Sequence, residues 1–188
     1  MCLVFILLLY VFLATFCQLT FISYSFLVDS LSISVAIGDC NRSDKLDCIV
    51  ANSGSNTVIV LFGSMNDISG RIDFPAGVNP QAVAVTDFNH DDNLDIVVTN
   101  SGDNTVTVIL GNDINDTIGE ASFPVGTTPR SVAISDFNID GKPDIVVTNF
   151  DDNTVTILLG NSVNDTIEQK SFSTDRNPQS VVCQRFQS

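Results

Sequence analysis

Residues 136–144 read Asp-Phe-Asn-Ile-Asp-Gly-Lys-Pro-Asp, and a closely similar segment occurs at residues 87–95. A weaker copy occupies residues 39–47. Oxygen-bearing side chains fall at positions 1, 3, 5 and 9 of each segment, and each copy is followed by an apolar run and an Asn-Thr-Val sequence. Because Ca²⁺ prefers several oxygen ligands at once, the pattern indicates a calcium-bearing repeat protein rather than an enzyme with one active site.

The repeat extends beyond these segments. Pro80, Pro129 and Pro178 are 49 residues apart, whereas Asp39 and Asp87 are 48 apart, so the first copy is one residue shorter. A period of about 50 residues falls in the range of propeller blades.

Each period contains a succession of predicted strands. In the third copy they are expected over residues 131–136, 144–148, 153–159 and 169–173. Residues 144–148 are almost continuously apolar, as in a strand covered on both faces, whereas residues 153–159 alternate. The connecting segments are rich in turn residues. The sequence therefore predicts an all-β protein with four short antiparallel strands in each repeat.

Residues 1–28 differ from the rest because they carry no charged side chain and are mostly apolar. We expect a hydrophobic helix that serves as a signal peptide, although no basic residue lies near its start. The segment is also long enough to be an uncleaved membrane anchor. Both interpretations predict a secreted protein, or one on the extracellular face of a membrane that it contacts only through this segment.

The net charge and the lack of catalytic motifs exclude some classes of function. The chain of 188 residues has 22 acidic and 8 basic side chains, for a net charge of −14. Such a chain is repelled by phosphates, so nucleic acid is not an expected partner. Common catalytic motifs are absent, and a single histidine leaves few options for acid–base chemistry. The chain is therefore predicted not to be an enzyme.

Cys40 is the second residue of the first acidic segment and Cys48 directly follows the segment, where the second copy has Phe88 and Ile96. They are either small core residues or, in an oxidising compartment, partners in a disulfide. Two of the three glycosylation sequons begin at Asn115 and Asn164, which are one repeat apart and are expected to be exposed; the third begins at Asn41, a predicted metal ligand, and is not expected to be used.

The chain resembles the FG-GAP/VCBS-type repeat, the blade of integrin-alpha-like β-propellers. The matching motifs are Asp-Phe-Asn-x-Asp-Gly-x-x-Asp, then Asp-Ile-Val-Val-Thr-Asn, then Asn-Thr-Val-Thr-Ile-Leu-Leu-Gly. The resemblance implies a partial β-propeller of about three blades. The expected divisions are 31–78, 79–127 and 128–176, with 177–188 as the truncated start of a fourth blade.

The resemblance also implies two to three structural Ca²⁺ ions, bound between the first two strands of each blade. The implied ligands of blade 3 are Asp136, Asn138, Asp140, the Lys142 carbonyl and Asp144. Those of blade 2 are Asp87, Asn89, Asp91, the Asn93 carbonyl and Asp95. Those of blade 1 are Asp39, Asn41, Ser43 and Asp47. Ser43 replaces a carboxylate, so the first segment should bind weakly. His90 is expected to point to solvent.

These features predict a non-catalytic, extracellular module for adhesion or recognition of a protein or carbohydrate ligand. Alternatively, the chain is a structural part of a larger propeller or an accessory region of a secreted hydrolase. Three blades do not close a ring, so self-association through open blade edges is also expected.

Overall fold

The computed structural model describes residues 31–65, 67–111, 117–160 and 168–183. Within these residues the regular structure is entirely β, which confirms the predicted class. Sheet 1 comprises β1 (Ser32–Gly38), β2 (Asp47–Asn52), β3 (Thr57–Gly63) and β4 (Ile68–Pro75). Sheet 2 comprises β5 (Pro80–Thr86), β6 (Asp95–Asn100), β7 (Thr105–Gly111) and β8 (Thr117–Pro124). Sheet 3 comprises β9 (Pro129–Ser135), β10 (Asp144–Asn149), β11 (Thr154–Leu159) and β12 (Glu168–Ser173).

The N-terminal helix and the alternatives for residues 1–28 lie outside the described residues. In the part of the chain that the structure describes, no helix has the length and hydrophobicity needed to cross a membrane.

Each sheet is an antiparallel meander in which sequence order and spatial order agree. Val146, for example, pairs with Ala133 on one side and with Ile157 on the other. A four-residue turn joins the second and third strands of each sheet, and its last residue is an asparagine with positive φ: Asn56, Asn104 or Asn153. Asparagine tolerates this left-handed conformation better than most residues, which explains its recurrence there.

Side chains of the second and third strands supply most of the core between the sheets. In β2, β6 and β10 every residue is buried, which matches the continuous apolar runs in the sequence. One core cluster lies between sheets 1 and 2 and includes Ile49, Val60 and Val98. A second lies between sheets 2 and 3 and includes Val106 and Val147. The first strands of neighbouring sheets also lie together, with β5 contacting both β1 and β9.

Acidic side chains in the turns between the second and third strands accept hydrogen bonds from the linker segments that connect consecutive sheets. Asp103 Oδ2 accepts a hydrogen bond from the backbone N–H of Val78 (3.0 Å), and Asp152 Oδ2 accepts one from Thr127 (2.6 Å). Asp151 accepts a hydrogen bond from the hydroxyl of Thr128. Each acceptor belongs to the sheet that follows the linker, so these turns help to fix each sheet against its predecessor.

Candidate metal-binding loops

The three acidic segments form the loops between the first and second strands of the sheets. Loop 1 is residues 39–47, loop 2 is residues 87–95 and loop 3 is residues 136–144, each numbered here by positions 1 to 9. Positive φ angles occur at positions 4 and 6 of every loop: Arg42 (54°) and Asp44 (58°), His90 (60°) and Asp92 (67°), Ile139 (60°) and Gly141 (85°). The three loops therefore share left-handed φ angles at the same two positions, although only loop 3 has glycine at position 6.

The carboxylate at position 1 accepts hydrogen bonds from two backbone N–H groups of its own loop. Asp87 Oδ1 accepts a hydrogen bond from the N–H of Asp91, and Oδ2 accepts one from Asp92, both at 3.0 Å. The equivalent pairs of bonds occur in loops 1 and 3, at distances of 2.8–3.1 Å. Position 1 thus satisfies two backbone donors that the tight loop would otherwise leave unpaired.

Positions 3 and 5 interact with each other in loops 2 and 3. Asn89 Nδ2 donates to Asp91 Oδ2 (2.9 Å), while Asp91 Oδ1 accepts from the N–H of Asn93 (2.8 Å). Burial acts to raise the pKa of Asp91, but the hydrogen bonds from Asn93 and Asn89 outweigh it and leave the pKa below its usual value. The N–H of Lys142 and the side chain of Asn138 likewise lower the pKa of Asp140. Both position-5 groups are therefore carboxylates at neutral pH.

The carboxylate at position 9 is buried and ties the loop to the third strand. Asp95 is 0% exposed, and it accepts hydrogen bonds from the N–H groups of Phe88 (2.8 Å) and Gly111 (2.8 Å). Asp47 and Asp144 make the equivalent pairs of bonds. Burial, together with the negative charge of Asp91, raises the pKa of Asp95 to about 6 although these hydrogen bonds lower it. Positions 5 and 9 therefore interact electrostatically.

Sequence reasoning missed this role of position 9, although a signal was present. A glycine follows each position-9 aspartate by 16 residues, at Gly63, Gly111 and Gly160. A Cβ atom on Gly111 would lie 2.3 Å from the carbonyl oxygen of Leu94, closer than two such atoms can approach. The glycine lets the third strand reach the loop, and its N–H then meets the buried carboxylate.

The donor set fits a hard divalent cation. Aspartate carboxylates and an asparagine amide in each loop are the oxygen ligands that Ca²⁺ prefers. In loop 2, Asn93 Oδ1 is also a buried oxygen without a hydrogen-bond partner among the described residues. As the described side chains stand, no three acidic, cysteine or histidine residues converge on one point, because the carboxylates are turned towards backbone N–H groups. Each carboxylate oxygen has a further lone pair with which to bind an ion.

Neighbouring loops also contact each other. Arg42, at position 4 of loop 1, donates from Nε to the carbonyl oxygen of Asp92 and from Nη2 to that of Asp91, both at 3.2 Å. His90, at position 4 of loop 2, is exposed as expected, but its Nε2 lies 3.1 Å from the carbonyl oxygen of Gly141 in loop 3. The prediction that His90 simply points to solvent was therefore incomplete.

The remaining predicted sites have different outcomes. Cys40 and Cys48 are both free, so the disulfide considered for them is not present. Cys40 packs against the cluster between sheets 1 and 2, whereas Cys48 belongs to a separate cluster with Val50 and Leu61. Asn115 and Asn164 lie outside the described residues.

The stacked four-stranded sheets and their loops define an all-β repeat protein. Residues 87–147, which contain loops 2 and 3, match a family model described as an FG-GAP-like repeat. This match confirms the predicted resemblance to an FG-GAP-like repeat over these residues. No relative among curated proteins matches it.

A solved structure provides a comparison of the fold. The chain is similar to the crystal structure of a protein of unknown function from Bacteroides caccae, with a TM-score of 0.50 and 14% sequence identity. The match covers 79% of this chain and 48% of that chain, so this chain spans about half the length of the protein it matches. At this identity the likeness concerns the fold alone.

Proposed function

We propose that this chain is a calcium-binding module of β-propeller type that acts outside the cell in adhesion or ligand recognition, without catalysing a reaction. The observation that carries the proposal is that the three loops repeat the same left-handed positions and the same hydrogen bonds. All have left-handed residues at positions 4 and 6 and a position-1 carboxylate that binds the same two N–H groups. Loops 2 and 3 then offer carboxylates at positions 5 and 9 as well.

The proposed role of the ion is structural. In loops 2 and 3 the side chains at positions 1, 3, 5 and 9 and the carbonyl at position 7 would hold it. Three carboxylates within nine residues repel one another, and a divalent cation offsets that repulsion. The effect of Asp91 on the pKa of Asp95 supports such crowding. Loop 1 has Ser43 at position 5 and therefore one charge fewer, so we expect it to bind weakly.

Thermal melting of the whole chain in calcium and in chelator tests the proposal. An ion that binds only the folded state at a concentration 100 times its Kd stabilises the protein by about 2.7 kcal/mol. Calcium should therefore raise the Tm of the natural protein. Asp140→Ala should reduce the increase, whereas Asp175→Asn, which removes one exposed negative charge outside the loops, should not. A Tm that calcium does not change in the natural protein would refute calcium binding.

An extracellular location is supported by the uncharged residues 1–28 and by the repeated sequons at Asn115 and Asn164. Expression in a eukaryotic host that glycosylates secreted proteins tests it. The chain should enter the secretory pathway, and Asn115→Gln with Asn164→Gln should increase its electrophoretic mobility. An unglycosylated chain that stays in the cytosol would contradict the location.

Adhesion or recognition is proposed from the resemblance to integrin-alpha-like propellers. The net charge of −14 favours ligands with neutral or cationic surfaces and disfavours nucleic acid. A panel of extracellular glycans and matrix proteins, compared in calcium and in chelator, tests this part. Binding that depends on calcium supports it; no binding to any member in either condition argues for the structural alternative.

A second candidate is a structural part of a larger propeller, and the outer face of sheet 3 favours it. Val106 and Val108 of β7 are 0% and 2% exposed beneath sheet 3. Their counterparts Val155 and Ile157 of β11 are only half-buried, and Phe172 beside them is 53% exposed. The apolar face that each earlier sheet buries against its successor is thus partly uncovered in sheet 3.

Residues 174–183 indicate what would cover that face. The N–H of Asn177 donates to Asn153 Oδ1 (2.7 Å), as that of Asn79 donates to Asn56 Oδ1 in the first linker (2.8 Å). The N–H of Val181 donates to Ser131 Oγ, repeating a contact between sheets 1 and 2. The segment therefore begins as the earlier sheets begin, and the occupant we propose is a further four-stranded FG-GAP-like sheet.

Light scattering tests this second candidate. If another copy covers this face of sheet 3, the whole chain should form a discrete oligomer that Ile157→Lys dissociates. Ile139→Lys, at an exposed loop position, is the control and should leave the oligomer intact. A monomer with a cooperative melt would show instead that the chain folds stably without a further sheet.

A further inference from the structure

The side chains at position 4 of loops 1 and 2 make the same kind of contact with the next loop. Arg42 reaches the carbonyl oxygen of Asp92, and His90 reaches that of Gly141. Asp92 and Gly141 both occupy position 6. Because a carbonyl oxygen only accepts hydrogen bonds, His90 Nε2 carries the hydrogen and donates it. Two chemically different side chains therefore connect position 4 of one loop to position 6 of the following loop.

The peptide groups that accept these hydrogen bonds also donate hydrogen bonds to candidate calcium ligands. The peptide between Gly141 and Lys142 accepts from His90 through its oxygen and donates through its N–H to Asp140 Oδ1 (2.9 Å). The peptide between Asp92 and Asn93 accepts from Arg42 and donates to Asp91 Oδ1 (2.8 Å). A peptide that accepts a hydrogen bond becomes a stronger donor. Position 4 of one loop thus helps to orient the position-5 carboxylate of the next.

Position 4 is in turn oriented by its own loop. His90 lies between Asn89 and Asp91, which hold positions 3 and 5, and its φ of 60° is imposed by the loop backbone. An ion bound by positions 3 and 5 of loop 2 would fix the direction of the imidazole. The same holds for Arg42 between Asn41 and Ser43 of loop 1.

We propose that Arg42 and His90 are positioning residues that couple neighbouring calcium loops, so that an ion in one loop raises the affinity of the next. This inference rests on the proposed calcium binding. Coupling between sites is reciprocal, so an ion in loop 3 raises the affinity of loop 2 by the same factor. The chain therefore binds calcium with positive cooperativity.

Loop 3 contains an internal control. Its position 4 is Ile139, which has no side-chain donor and is 89% exposed. Substitution there changes the same backbone position without breaking a contact to another loop.

The test is a calcium titration of the whole chain that is followed by the NMR signal of the Gly141 amide. This N–H donates to Asp136 Oδ2, a candidate ligand of loop 3, so the calcium concentration at the midpoint of its shift measures binding in loop 3. His90→Ala should raise the calcium concentration at the midpoint by about fivefold. His90→Gln supplies a side-chain N–H donor and should restore most of the affinity, and Ile139→Ala should leave the midpoint unchanged.

A second comparison separates coupling from a local disturbance. Asp91→Ala weakens ion binding in loop 2 and should shift the Gly141 midpoint by a factor similar to that of His90→Ala. The double variant should shift it no further, because both changes interrupt one connection.

The outcomes are distinct. If His90→Ala leaves the midpoint of the calcium titration unchanged, or if Ile139→Ala shifts it as much as His90→Ala does, the coupling is refuted. Neither result refutes calcium binding. A Gly141 signal that does not respond to calcium in the natural protein overturns both proposals.

Discussion

Replacing Asp95 with alanine should destabilise the protein by about 2–4 kcal/mol even when no metal is present. Asp95 is 0% exposed, and its two oxygens accept the N–H groups of Phe88 and Gly111. Alanine fills the position without supplying an acceptor. Both backbone donors then remain buried and unpaired at the junction of loop 2 and β7.

The magnitude follows from those two groups. A buried donor that loses its partner costs about 1–3 kcal/mol, so two cost about 2–6 kcal/mol. Burial raises the pKa of Asp95 to about 6, which shows that the folded protein disfavours its charge. Removing the charge offsets part of the loss, and we therefore expect the lower part of the range. For a chain of this length the corresponding fall in Tm is roughly 5–15 °C.

Urea denaturation at neutral pH in excess chelator measures the effect without a contribution from bound calcium. Asp103→Ala is the matched control, because Asp103 also accepts a backbone N–H, from Val78, but is exposed. Water replaces that lost bond, so the control should lose no more than about 1 kcal/mol. Equal losses in the two variants would refute the assignment of Asp95 as a buried link between loop and strand.

Two further predictions concern packing and thiol chemistry. Gly111→Ala should destabilise the protein by about 1–3 kcal/mol in the same denaturation assay, because the new methyl group would meet the Leu94 carbonyl oxygen; an unchanged midpoint would contradict the close approach. Peptide mapping after alkylation in denaturant without reductant should find Cys40 and Cys48 both alkylated, because they belong to different packing clusters; a peptide pair linked through these two residues would contradict it.

Much of the fold could be predicted because it depends on local patterns. The strand expected at residues 144–148 is β10, Asp144–Asn149, and that expected at 153–159 is β11, Thr154–Leu159. The continuous apolar run of the first and the alternation of the second are properties of each segment by itself. The loops followed from the spacing of their oxygen side chains.

The missed features depend on residues that are distant in sequence. The link between Asp95 and Gly111 forms only because β7 ends beside loop 2, which requires the register of the hairpin. The contact from His90 to Gly141 spans 51 residues and depends on how sheets 2 and 3 stack. A repeat pattern shows which residues are equivalent, but it does not show which of them meet across two repeats.

The number of calcium ions bound by each chain tests the central claim most directly. Equilibrium dialysis of the whole chain, followed by metal analysis, measures it for the natural protein and for the double variant Asp91→Ala/Asp140→Ala. We predict two tightly bound ions in the natural protein, in loops 2 and 3, a weaker third in loop 1, and no tight ion in the double variant. Fewer than one ion in the natural protein, or the same number in both proteins, would contradict the assignment of these loops as calcium sites.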